Sequence, residues 1–239
     1  MAETNALKTT AMILAAGRGE RLRPLTDHTP KPLIEVGGKP LIEHHLERLA
    51  AAGIERVVIN LAHLGELIRA HLGDGERWGL TIEYSVEGKQ AEDALETAGG
   101  IRQAIDRLGE RFLLVNGDVL SDIDYAALAN RRLRADCRFH LVLVDNPSHN
   151  PGGDFALDQT GRLGGASTAA LTYSGIGLFD PALFNDLPTG RRALGPVLRA
   201  AIANGQGCAH HHRGEWLDVG TPERLAEADR RLRDHSDDQ

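Results

Sequence analysis

The chain has 239 residues, of which 41% are apolar and 26% charged, with a net charge of −7. Such a balance describes an ordinary globular chain and excludes a fibrous or disordered one, while the acidic excess excludes a general electrostatic grip on nucleic acid. No run of eighteen apolar residues occurs, and the opening MAETNALKTT lacks the basic and apolar regions of a secretory leader, so a cytoplasmic chain that neither spans a membrane nor carries a signal peptide is expected.

In chain order, AMILAA (11–16) reads as a buried strand running into Gly17. PLIEHHLERLAAAG (40–53) places Leu41, Ile42, His45, Leu46 and Leu49 on one helical face, with Gly53 as the stop. RVVINLA (56–62) is a second strand, a helical segment follows near 63–72, and TIEYS (81–85) is a third strand. ETAGGIRQAIDRLG (96–109) reads as a helix, and RFLLVNGD (111–118) and RFHLVLVD (138–145) as strands. The alternation predicts an α/β fold with a mixed, mostly parallel central sheet and helices on both faces. Cys137 and Cys208 stand far apart without metal-ligand spacing and are expected as reduced thiols. Between 145 and 180 the pattern changes to two strand-like pieces, GDFALD and ALTYSGIGLF, expected as a small hairpin-like β insertion beside the site. Helices are expected near 192–204 and 221–233, with the acidic DHSDDQ frayed, all within a single domain over 1–239.

In parallel sheets ligands sit beyond the carboxyl ends of the strands, so the residues after each apolar run carry the functional question. Those residues are Gly17 to Gly19, Asn60 to His63, Asn116 to Asp118, and Asp145 with Asn146. After AMILAA comes GRGERLRPLTDHTPKPL, with Arg18, Arg21, Arg23 and Lys31 in fifteen residues. It lacks the Gly-Lys-Ser/Thr of a Walker A loop, and Leu22 stands where a dinucleotide fingerprint needs its third glycine. What remains is another kind of nucleoside-triphosphate loop. Gly17 and Gly19 let the backbone N–H groups approach anionic oxygens, Arg21 supplies a bidentate donor, and Lys31 adds a point charge between two prolines.

LAAGRGERLRPLTDHTPKPL resembles the signature of the sugar-1-phosphate nucleotidyltransferases, the nucleotide-sugar pyrophosphorylases. GGKPLIEHHLERLAAAGI, LETAGGI, FLLVNGDVL, TYSGIGLF and WLDVGTPERL follow in the family's order, so the resemblance covers nearly the whole chain. It implies a Rossmann-like nucleotidyltransferase fold without an added C-terminal β-helix domain. It also implies in-line attack by a sugar-1-phosphate oxygen on the α-phosphorus of a nucleoside triphosphate, with release of pyrophosphate. The protein's task in such a step is positioning and charge neutralisation. By this likeness Arg21, Lys31 and Asp118 are catalytic, and Asp118 and Asp218 hold Mg²⁺. Leu14, Ala15, Ala16, Gly17 and Gly19 contact the nucleotide from one side, and Glu96, Thr97 and Gly99 from the other. Asn116, Asp154, Ser174 and Gly175 contact the sugar.

Plainer readings stand beside several of these assignments. Asp218 precedes Thr221-Pro222-Glu223, which looks like a helix cap; Asp154 suits a turn after two glycines; Ser174 is an ordinary strand residue. Asp122 and Asp124 resemble the metal pair of a glycosyltransferase but suit a helix start. The segment 86–95 is longer than the family pattern, which leaves contacts by Glu87, Lys89 or Asp93 open. No lysine follows Lys89, so the sugar phosphate needs another cation, and Arg213 is a candidate. His210, His211 and His212 alternate faces if they form a strand, which argues against a shared metal. His44 and His45 face different sides of their helix and are assigned no chemistry. Within the family the blocks, VDNPSHNPGGDFAL above all, are most similar to the short N-acetylmuramate-1-phosphate uridylyltransferases of peptidoglycan recycling. UTP and N-acetylmuramic acid 1-phosphate are therefore the expected substrates of a monomer or small homo-oligomer. A mannose-1-phosphate guanylyltransferase or another sugar-1-phosphate nucleotidyltransferase is the alternative within the family; a non-catalytic nucleotide-sugar-binding homologue or a glycosyltransferase is the alternative outside it.

Overall fold

The computed structural model describes residues 9–164 and 170–237. Residues 1–8, residues 165–169 of the expected insertion, and the last two residues of the acidic end lie outside the described residues. In chain order the strands are β1 (Thr10–Leu14), β2 (Glu35–Val36), β3 (Lys39–Pro40), β4 (Arg56–Leu61), β5 (Thr81–Val86), β6 (Phe112–Asn116), β7 (Val119–Ser121), β8 (Phe139–Val144), β9 (Phe155–Ala156), β10 (Ala170–Phe179), β11 (Gly207–His211) and β12 (Trp216–Asp218). The helices are α1 (Leu41–Ala51), α2 (Gly65–Leu72), α3 (Glu96–Ala104), α4 (Tyr125–Asn130), α5 (Leu194–Ala203) and α6 (Pro222–Asp237).

The central sheet runs β11-β8-β10-β6-β1-β4-β5, with β9 attached to β10. All neighbouring pairs along that path are parallel except those made by β10, which runs antiparallel to both β6 and β8. Beyond Thr10, β1 is apolar because successive side chains enter opposite covered faces: Ala11 and Ile13 pack into one core and Met12 into the other. The first core takes the buried faces of α1, α2 and α4; the second takes α3 and α5. The five residues expected on the inner face of α1 are its buried ones, and Gly53 follows with φ 76.

Three expectations change. The hairpin reading of 145–180 holds for β9 against the start of β10, but β10 continues as a central strand of the main sheet. From Gly175 to Phe179 its sequence is apolar without alternation because both faces are covered. Helix α6 does not stop near 233 but continues to Asp237. The two cysteines are not separate thiols: Cys137 and Cys208 form a disulfide. Sequence separation hid the pairing, since Cys137 lies just before β8, and β8 pairs with β11, which carries Cys208.

Candidate active site

The carboxyl ends of β1, β4 and β6 open onto a cleft of about 430 Å³. The end of β1 and the segment after it supply Leu14, Ala15, Ala16, Gly17, Gly19, Arg21 and Lys31 to its wall; Glu96 and Thr97 come from α3, Asn116 from the end of β6 and Asp118 from just beyond it. Gly19 has φ 71, and a β-carbon there would stand 2.9 Å from Thr26 Cγ2 and 3.3 Å from Lys31 Cβ, so the loop's tight turn depends on glycine. Gly17 has open space where its β-carbon would be. The four cations of the opening stretch divide. Arg18 pairs with Glu20 at 2.9 Å and Asp27 at 3.2 Å, and Arg23 pairs with Asp27 at 2.8 Å, which ties them into the loop itself. Lys31 Nζ meets Asp118 Oδ2 at 2.5 Å. Arg21 is exposed on the cleft wall and makes no ion pair or hydrogen bond among the described residues.

Opposite the loop a chain of buried and part-buried hydrogen bonds fixes the far wall of the cleft. The Ala15 N–H donates to Asn60 Oδ1 at 2.8 Å, Asn60 Nδ2 donates to Glu87 Oε1 at 2.7 Å, and the Leu95 N–H donates to Glu87 Oε2 at 2.7 Å. Asn60 and Glu87 both line the cleft. Burial pushes the Glu87 carboxyl above its ordinary range, against the two hydrogen bonds that favour its charged form. Asn60 was visible in the sequence as the polar residue that closes the apolar run of its strand; Glu87, whose contacts the sequence left open, belongs to the long 86–95 segment. Asp93, in the same segment, accepts from the Lys89 and Gln90 N–H groups and so shapes the loop. Glu96 adopts φ 58, a left-handed conformation unusual for a residue with a side chain, and its carboxylate pairs with Arg191 at 3.0 Å. Gly99 does not line the cleft. A β-carbon there would press on Gly190 O and Leu95 Cβ, so its role is to seat α3 against the 190–192 segment.

The two expected metal carboxylates are neighbours across a two-stranded ribbon. β12 pairs antiparallel with β7, Asp218 stands opposite Val119, and the Val219 N–H donates to the Asp118 carbonyl at 2.7 Å. Asp118 faces the cleft, whereas Asp218 lies behind Gly220, which does line it. Asp218 is paired with Arg224 at 3.1 Å and His149 at 3.3 Å. Hard oxygen donors at the adjoining ends of β7 and β12, with room in the cleft for phosphate oxygens and water, fit a small divalent cation such as Mg²⁺. Among the described residues no third acidic, histidine or cysteine side chain completes a ligand cluster.

Of the residues expected to contact the sugar, Asn116 lines the cleft and Gly175 packs against it: with φ 82, a β-carbon at Gly175 would lie 2.6 Å from Asn116 Nδ2. This is where the pairing of β10 with β8 shifts register. Ser174 is buried, its hydroxyl accepting from the Ile176 N–H at 3.1 Å and its carbonyl accepting from Trp216 Nε1 at 2.9 Å. Asp154 accepts from the Tyr173 N–H at 2.8 Å and from Asn150 at 3.2 Å, bracing the loop outside the cleft. Asp124 caps α4 through the Ala127 N–H, while Asp122 meets His212 at 2.6 Å. The three histidines go to three places: His210 to His140, His211 to Asp145, and His212 to Asp122.

A triphosphate-type loop over the ends of parallel strands, with two carboxylates at its flank, defines a nucleotidyl-transferring enzyme. Residues 10–155 match the family described as nucleotidyl transferase. A protein named N-acetylmuramate alpha-1-phosphate uridylyltransferase from Neisseria meningitidis is 51% identical over 224 residues, covering 91% of this chain and 96% of that one. One of the same name from Caulobacter vibrioides is 35% identical, covering 93% and 96%. Mannose-1-phosphate guanylyltransferase of Mycobacterium tuberculosis is 34% identical, but this chain spans only 61% of its length. The crystal structure of HddC from Yersinia pseudotuberculosis in complex with GMP-PN shares the fold, with TM-score 0.75 and 20% identity, over 94% of this chain and 99% of that one. The chain belongs to the nucleotidyl transferase family.

Proposed function

We propose that the chain transfers the uridylyl group of UTP to N-acetylmuramic acid 1-phosphate, with Mg²⁺ as cofactor, and so serves peptidoglycan recycling in the cytoplasm as a monomer or small homo-oligomer. The observation that carries this reading is the 51% identity to the Neisseria uridylyltransferase over nearly the full length of both chains. An oxygen of the sugar phosphate bonds to the α-phosphorus, the bond from that phosphorus to the bridging oxygen breaks, and pyrophosphate leaves with that electron pair. Backbone N–H groups around Gly17 and Gly19, with Arg21 and Lys31, hold the triphosphate and balance the charge that builds on the leaving group. Asn60 and Glu87 fix the wall against which the base lies, and Asn116, seated by Gly175, faces the sugar. Asp118 and Asp218 would hold the Mg²⁺, which when bound neutralises phosphate charge.

Pyrophosphate release tests the proposal, with Mg²⁺ and UTP, GTP, dTTP or CTP crossed against the 1-phosphates of N-acetylmuramate, N-acetylglucosamine, mannose and glucose. Release with UTP and N-acetylmuramate 1-phosphate supports it. Release with GTP and mannose 1-phosphate keeps the chemistry and replaces the substrates; silence throughout removes the catalytic reading.

A further inference from the structure

We infer that Arg224, at the start of α6, is a substrate-binding residue that grips the phosphate of the sugar 1-phosphate; this rests on the function proposed above. Three observations converge on it. Arg224 sits in the first turn of a helix, where the helix dipole disfavours a cation, so its placement needs an anion to offset that cost. Its side chain is only 17% exposed, and although Nη2 reaches Asp218 at 3.1 Å, Nε is buried without a hydrogen bond, leaving a donor in hand. Finally, Gly220 lines the cleft, and a β-carbon there would collide with Arg224 Nη2 and stand 3.0 Å from both Arg21 Nη2 and Asp218 Oδ2. Two guanidinium groups therefore meet at one glycine, in space that any side chain at 220 would take from them.

Like charges brought that close repel, and the Asp218 carboxylate balances only one of them. A phosphate dianion supplies the missing charge. Since no lysine follows Lys89, arginine or histidine must meet the second substrate's phosphate from this side of the cleft. His149 supports the assignment: its Nδ1 lies 2.8 Å from Arg224 Nη1 and its Nε2 3.3 Å from Asp218, joining the 145–154 loop to the same cluster. Neither Arg224 nor Arg213, the candidate from the sequence, lines the cleft itself, but Arg224 packs directly against Gly220, which does, whereas Arg213 is exposed beside His211 and is not among the groups around Gly220.

The test compares wild type with Arg224→Met, Arg224→Lys and Arg213→Ala. Steady-state rates are measured with UTP and N-acetylmuramate 1-phosphate. Calorimetry follows binding of the sugar phosphate in the presence of Mg²⁺ and a non-hydrolysable UTP analogue. Loss of a charge-assisted bond to phosphate should raise both KM and Kd for the sugar phosphate ~10- to 100-fold in Arg224→Met. Arg224→Lys should fall between, the KM for UTP should stay within about twofold, and Arg213→Ala should match wild type. An unchanged sugar-phosphate Kd in Arg224→Met overturns the inference. So does a shift confined to the Mg²⁺ concentration giving half-maximal rate, which would mean that Arg224 only holds Asp218. Wild-type silence with every substrate pair overturns the proposed function itself, and that result is distinct from an active wild type with an indifferent variant.

Discussion

Arg21 and Lys31 show how differently two cations in one loop can be held. Lys31 is neutralised by Asp118, whereas Arg21 stands in the cleft without a protein partner among the described residues. Removing Arg21 should therefore cost activity and not stability. In Arg21→Ala we expect kcat to fall at least ~10²-fold, the order of one transition-state donor, with an unchanged melting temperature. Pyrophosphate release and thermal melting together check this, and a normal rate would remove Arg21 from the chemistry. Two buried histidines set the acid limit of the fold. Burial, with Arg48 beside the first and Arg131 near the second, brings His45 and His140 down to about 3. An unfolded histidine takes a proton near pH 6.5, so the unfolded chain binds more protons below that point. Their contribution to stability is whole above pH 6.5 and is lost as pH falls from 6.5 towards 3, by up to ~1.4 kcal/mol per pH unit for each histidine. Urea midpoints at pH 7.5, 6 and 5 should record the decline, and His45→Gln should make it shallower than in wild type; an unchanged slope would show that His45 does not contribute.

Among the elements, the hydrogen-bond chain from Ala15 through Asn60 and Glu87 to Leu95 joins the ends of β1, β4 and β5 to the start of α3. Asn60→Ala leaves Glu87 without one of its two donors, and a buried group so stranded costs ~1–3 kcal/mol. We expect a lower melting temperature and a raised KM for UTP, with the KM for the sugar phosphate little changed. Equal changes in both constants would show that Asn60 does not act on the nucleotide wall alone. The elements themselves were legible because each carries its own period. The α1 face and the alternation of β1 follow from side-chain spacing, and the loop after β1 announces itself by its glycines and cations. What stayed hidden was decided by distant partners. β10 reads as an apolar run whose place is set by β6 and β8, and Glu87 gains its environment from Asn60 and Leu95. Ser174 turns inward because Trp216 and Ile176 claim it.

For the whole molecule, the disulfide closes a loop of 71 residues at the edge of the sheet opposite the cleft. Chain-entropy reasoning puts its stabilisation at up to about 4 kcal/mol. Dithiothreitol should then lower the melting temperature by roughly 10 °C while the rate at 25 °C persists. An unchanged melting temperature would show that the two thiols are unpaired in solution. The reversed direction of β10 has a consequence for how such a protein can diversify. A strand parallel to β8 would need a crossover that leaves the cleft edge and returns through the body of the molecule. Because β10 runs back, the connection from Asp145 to Ala170 both leaves and rejoins the sheet at the cleft edge. Within it Phe155 and Leu163 belong to the second core and are fixed, whereas the largely exposed stretch from Ser148 to Gly152 can change in length and chemistry while the register of the sheet and both cores stay as they are.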